Sequence, residues 1–204
     1  MFLSKSPAIL KKYYAHLTWD IPNSENKIFL TFDDGPIPEV TPWVLDVLNA
    51  FQIKATFFCI GDNVQKHPAI YQRILAEGHS VGNHTQNHIN GWKTKNERYF
   101  DNIDNCAKLV NSKLFRPPYG RIKKSQLKKI KTDYKIVMWD VLSGDFDSKT
   151  NPEKCYNNVI KNTKSGSIIV FHDSLKAIKN IKESLPQVIE HLLGKGFVFS
   201  AIAP

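Results

Sequence analysis

The chain has little cysteine: three residues in 204, Cys59, Cys106 and Cys155, odd in number and far apart. No close pair exists, so neither a disulfide-stapled scaffold nor a cysteine-clamped metal can be the basis of the fold. Cys59 lies in an apolar run and Cys106 at an apolar helical position, so both read as core thiols, which favours a reducing compartment. The chain also lacks any stretch near the roughly 18 apolar residues that a membrane-spanning helix needs. Residues 1–12 carry no sustained apolar run and do not read as a secretory signal. The expected location is cytoplasmic, with envelope association left open by the substrate class reached below. Acidic residues are outnumbered, 19 against 28 lysines and arginines, for a net charge of +9. The densest basic run, 123–135, is interrupted by Leu127 and Ile130 at helical intervals and carries no interleaved stacking aromatics. It reads as a solvated helix face, and no nucleic-acid partner is expected. The surplus charge leaves attraction to an anionic cell-wall polymer or membrane surface open. Repeats, low-complexity tracts and linkers are missing as well, so one domain and a monomer are expected.

What is present is alternation. Residues 28–32 read as a strand running into Asp33-Asp34-Gly35-Pro36, a turn sequence. Thr41-Pro42 predicts a helix N-cap followed by proline at the first helical position. Apolar runs over 55–60, 79–82, 114–116, 135–140, 167–172 and 197–202 predict further strands. Helical spacing intervenes after Pro68, around Tyr99 to Val110, after the Asn151 cap and along Ile178 to Leu193. Strand–helix alternation over the whole chain indicates an α/β fold with mainly parallel strands.

The polar residues with chemical potential collect at the C-terminal ends of these strands: Asp33 and Asp34, His84, Arg116, Asp140 or Asp145, and His172. Barrels built from βα units place active sites on that face. His84 and His88, four residues apart, share a face if the backbone there is helical. A carboxylate from a strand end would complete a two-histidine, one-carboxylate metal site with open positions. The second carboxylate would then be free as a base, which reads as metal-assisted hydrolysis. Singly, each residue has an ordinary structural explanation: a turn, a helix surface, a rim histidine or an ion pair. Those explanations do not account for the gathering of all of them at strand ends.

The order of motifs resembles the polysaccharide deacetylase family, the NodB-homology or carbohydrate esterase family 4 group. The matching segments are Thr31-Phe-Asp-Asp-Gly-Pro36, His84-Thr-Gln-Asn-His88, Arg116-Pro-Pro-Tyr119, Asp145-Phe146 with Trp139-Asp140 nearby, and Val170-Phe-His172-Asp173. The resemblance covers about residues 27–202, so that 1–26 form an N-terminal extension and 27–204 the catalytic domain. It implies a single-domain distorted (β/α) barrel and metal-dependent removal of N- or O-acetyl groups from sugars, with the N-acetylated aminosugar of an oligo- or polysaccharide such as peptidoglycan or a chitin-type glycan as the expected substrate. It also implies that Asp34, His84 and His88 hold one divalent ion, zinc first and cobalt or manganese next. Asp33 would be the general base, held by Arg116, and His172 the general acid, tuned by Asp145. The Tyr119 amide would help to stabilise the oxyanion. Pro118, Tyr119, Trp139, Phe146 and Val170 would contact substrate. Phe146 stands where the family has tryptophan, and Val170 where it has leucine; both positions would line the acetyl pocket. Two rival functions remain: hydrolysis of small cyclic amides or ureides, and non-catalytic carbohydrate binding.

Overall fold

The apolar runs assemble into one parallel sheet. The computed structural model describes residues 2–203. Its strands are β1 (Lys27–Asp33), β2 (Thr56–Cys59), β3 (Ser80–Asn83), β4 (Leu114–Phe115), β5 (Lys135–Ile136), β6 (Val141–Leu142), β7 (Ile168–His172) and β8 (Val198–Phe199). Their order is β5-β4-β3-β2-β1-β7-β6, with β8 against the start of β1, and every pairing is parallel. Helix α1 (Ala8–Tyr13) precedes β1, and helices α2 (Thr41–Ala50), α3 (Gly61–Lys66), α4 (Pro68–Ala76), α5 (Asn96–Ala107), α6 (Lys124–Ile130), α7 (Pro152–Ile160) and α8 (Ile178–Gly194) lie in the connections between strands. The sheet curls into a distorted (β/α) barrel whose two edges, β5 and β6, do not pair.

Strand parity decides what faces the barrel interior. Side chains alternate along a strand with period two. Ile28, Leu30 and Phe32 of β1 join Phe57, Cys59, Ile169 and Phe171 in the large core beneath the helices. Their alternates turn the other way: Phe29, Phe58, Leu114 and Ile168 form a smaller interior cluster. Thr31, Asp33, His84, Arg116 and His172 continue those interior rows to the strand ends. The apolar interior at one end of the barrel therefore gives way to chemistry at the other.

The structure differs from the sequence expectation at several places. The strand expected over 135–140 is split, because β5 pairs with β4 at one edge while β6 pairs with β7 at the other. Residues 137–140 cross the open side between them, and the Val137 and Met138 carbonyls are taken by the Arg116 guanidinium. Thr41 is not an N-cap; Val40 holds that place, and the Thr41 hydroxyl accepts from Ile37 N–H and donates to Asp173. Residues 2–26 are knitted to the barrel by bridges from Lys5 to Val141, Thr18 to Val137 and Asp20 to Ser167. Leu17 and Trp19 are buried there. No helix among the described residues is long and apolar enough to cross a membrane.

Candidate active site

Asp34, His84 and His88 come together at the end of β1 and after β3. Asp34 Oδ1 lies 3.2 Å from His88 Nε2 and 3.8 Å from His84 Nε2. One ligand atom from each of the three falls within 4.8 Å of the others. The route to this geometry is not the helix the spacing suggested. Residues 84–88 are a loop in which Thr85 and His88 adopt positive φ, 64° and 53°. Those two left-handed residues fold the loop back, so that both imidazoles meet without a helical turn. Asp34 also has positive φ, 87°, and its carbonyl is held by the Asn63 amide at 2.7 Å.

The donor chemistry fits a cation. His84 Nδ1 lies 2.7 Å from the Arg116 carbonyl, which can only accept, so the proton sits on Nδ1 and Nε2 presents a lone pair. Burial, then the neighbouring His88, pushes His84 down to about 3, so it stays neutral. Burial also lowers His88, against the pull of the Asp34 carboxylate. Asp34 Oδ1 is buried and has no hydrogen-bond donor. The His84 lone pair, the unpartnered Asp34 oxygen and the neutral-leaning His88 ring thus converge on one point. That is unfavourable alone and favourable around a divalent ion.

Beside this cluster, Asp33 is held by Arg116. The guanidinium is completely buried and stacks on Phe58, with Cζ 4.0 Å from the ring centroid. It donates to Asp33 Oδ1 at 2.6 Å, Thr31 Oγ1 at 2.8 Å, and the Val137 and Met138 carbonyls at 3.2 and 2.9 Å. A charge without solvent is tolerated because four of its five N–H donors are engaged and a carboxylate faces it. Asp33 Oδ2 is left outside this grip.

Across the site His172 ends β7. Its Nδ1 lies 2.8 Å from Asp145 Oδ1, and its backbone N–H donates to Asp145 Oδ2 at 2.7 Å. Ser143 Oγ donates to the same carboxylate, and Asn180 holds the Asp145 carbonyl. Burial works to lower the His172 pKa, but Asp145 outweighs it, helped by Asp34 and Asp33, and the imidazole rises to about 9. It is therefore cationic near neutrality with Nε2–H free to act. Asp140, the other candidate for the fourth motif, is excluded from the site. It is buried at the base of the N-terminal segment, in ion pairs with Lys5 at 2.6 Å and with Lys11, and accepts from Ser167 Oγ.

The pocket candidates lie around this centre. Tyr119 has φ 59°, is 60% exposed, and sets its ring 4.6 Å from His88. Pro118 is buried beneath it, and Trp139 packs against Gly120. Val170 shares the interior face of β7 with His172, and Phe146 packs edge-on against the His172 ring at 4.9 Å. One residue was missed by sequence reasoning. Asp173 accepts from Gly35 N–H at 3.0 Å and from Thr41 Oγ1 at 2.6 Å, so it ties the Asp-Asp-Gly-Pro turn to the end of β7. Gly35 is required there, because a β-carbon would overlap the Asp173 carboxylate. Burial pushes Asp173 up to about 8, against those two hydrogen bonds. Its place next to His172 in the fifth motif was the available signal.

Comparison with known proteins identifies the family. The family model described as polysaccharide deacetylase matches residues 20–137. A peptidoglycan-N-acetylglucosamine deacetylase of Bacillus cereus is 35% identical over 195 residues, covering 92% of both chains. A chitooligosaccharide deacetylase of Azorhizobium caulinodans is 33% identical over 161 residues, covering 75% of this chain and 76% of its own. A crystal structure of a peptidoglycan N-acetylglucosamine deacetylase in complex with 4-naphthalen-1-yl-N-oxidanyl-benzamide superposes with a TM-score of 0.88. It is 34% identical and covers 97% of this chain and 95% of that one. The chain belongs to the polysaccharide deacetylase family.

Proposed function

We propose that the protein is a divalent-metal-dependent hydrolase that removes the N-acetyl group from N-acetylglucosamine units of a glycan, with peptidoglycan favoured. The observation that carries this is the convergence of three parts on one barrel face: an Asp-His-His donor set, a carboxylate gripped by a buried arginine, and a histidine beside a buried carboxylate. The relatives of matching length named for peptidoglycan favour that glycan over chitin-type oligomers. A mixed nitrogen and oxygen donor set suits zinc, with cobalt or manganese as substitutes.

Asp34, His84 and His88 would hold the ion, which supplies Lewis acidity to the acyl carbonyl and makes water a better nucleophile. The remaining steps belong to the chain. Asp33, oriented through Oδ1 by Arg116, takes the proton of the attacking water on Oδ2. The new carbon–oxygen bond places negative charge on the carbonyl oxygen, and the Tyr119 N–H donates to it. An amine leaves poorly unless protonated, and His172 gives the nitrogen the proton from Nε2 as the carbon–nitrogen bond breaks. Acetate and the free amine result. Asp145 keeps His172 charged and fixes its ring. A non-catalytic binding domain would have no use for both an oriented base and a charged acid, and the relatives matched over most of this chain are named for deacetylation of aminosugar glycans, which disfavours a cyclic-amide hydrolase.

The test is acetate release from acetylated glycans of defined type, with Asp33→Asn as control. General acid–base groups contribute about 10²–10⁴-fold. Asp33→Asn should therefore keep its metal and lose activity by that factor. Near-wild-type release with metal bound would overturn the assignment of the base.

A further inference from the structure

The edge strand β6 is covered by the start of the chain. Lys5 pairs antiparallel with Val141, the Leu142 N–H donates to the Ser4 carbonyl, and the Ser6 N–H donates to the Asp140 carbonyl, both at 2.9 Å. The buried Asp140 anchors this segment through Lys5 and Lys11. So fastened, the segment delivers Phe2 to the loop after β6, at the rim of the active site. The Phe2 ring lies 5.5 Å from the Phe146 ring, tilted by 53°. Phe146 in turn meets His172 edge-on at 4.9 Å and 68°. Gly144 makes the seat: a β-carbon there would overlap the Phe2 ring, and its φ of 79° suits glycine.

We propose that Phe2 is a positioning residue for the acyl pocket: it braces Phe146 and so fixes the aromatic wall beside His172. The inference rests on the reading of Phe146 as a wall of that pocket. Phe146 meets the His172 ring edge-on, and a ring packed on one neighbour only retains freedom to tilt. Phe2 supplies a second neighbour from the far end of the sequence. A rigid wall excludes an acyl group longer than acetyl, whereas a loose wall admits it.

The experiment measures kcat/KM of the metal-loaded enzyme on N-acetyl- and N-propionyl-glucosamine oligomers for wild type, Phe2→Ala, Phe2→Leu and Phe146→Ala. One methylene in an apolar pocket is worth roughly 10–200-fold in discrimination. The acetyl-over-propionyl preference should fall by at least about threefold in Phe2→Ala, further in Phe146→Ala, and least in Phe2→Leu. Destabilisation alone lowers both rates together and leaves their ratio unchanged. If Phe146→Ala lowers the preference while Phe2→Ala keeps the wild-type value, the bracing role is overturned. If neither variant changes it, the pocket reading of Phe146 falls and the bracing role with it. Should Phe2→Ala fail to fold, Phe2→Leu decides: a preference equal to wild type overturns the proposal, and a lowered one sustains it.

Discussion

Replacing Asp145 by asparagine should move the basic limb of the pH–rate profile. His172 stands at about 9 rather than 6.5 because the Asp145 carboxylate outweighs burial. At about 1.4 kcal/mol per pH unit, that gap is on the order of 3 kcal/mol in favour of the imidazolium. Asparagine keeps the shape and can accept from Nδ1–H, but the charge is gone and burial then acts with little opposition. The folded-state pKa should drop to the ordinary value or below it. At pH 7.5 the charged fraction would fall from nearly all to about a tenth or less, so kcat should fall at least about tenfold there. Much of the loss should be recovered at pH 5.5 relative to an equally treated wild type. Stability follows the same sign. A raised histidine pKa stabilises the fold fully below the unfolded value near 6.5 and loses that contribution as pH rises through about 9. The stability difference between wild type and Asp145→Asn should therefore shrink across that window. Histidine titration by NMR, alongside the rate profile, measures both. A variant whose basic limb and His172 titration stay near 9 would refute the reasoning.

Arg116→Met should destabilise the protein by roughly 3–5 kcal/mol, since it leaves Asp33 charged, buried and unpaired; denaturant melts of the folded variant check this. Asp173→Ala should weaken metal binding, measured by competition with a chelating dye, because Gly35 N–H and Thr41 lose their acceptor and the turn carrying Asp34 loosens. All three cysteines are free and buried, and burial pushes Cys106 and Cys155 up to about 12 and raises Cys59 well above the ordinary thiol value. Thiol titration at pH 8 should find almost no reaction in the native protein and three thiols after denaturation without reductant.

The parts of the site that sequence reveals are those with local signatures. A strand ending in Asp-Asp-Gly-Pro announces itself by alternation and turn chemistry, and His172 by its place after an apolar run. Strand and helix periodicity carries the α/β class with parallel strands, while the distorted barrel is what the family resemblance implies. The conformation of residues 84–88 did not, since a four-residue histidine spacing fits a helix equally well, and only the positive φ values of Thr85 and His88 distinguish the loop. The split between β5 and β6 depends on carbonyls that turn to Arg116 from a distant strand end. Asp140 beside Trp139 could not be told from Asp145 by pattern. Its partners Lys5 and Lys11 lie at the other end of the chain, and such long-range ion pairs leave no local trace.

The most direct test of the central claim joins metal content to acetate release. Protein stripped with a chelator should bind one divalent ion per chain and recover acetate release from N-acetylglucosamine oligomers in proportion to the ion restored. His84→Ala combined with His88→Ala should lose both. Full acetate release from stripped protein, or unchanged metal content in the double variant, would contradict the account.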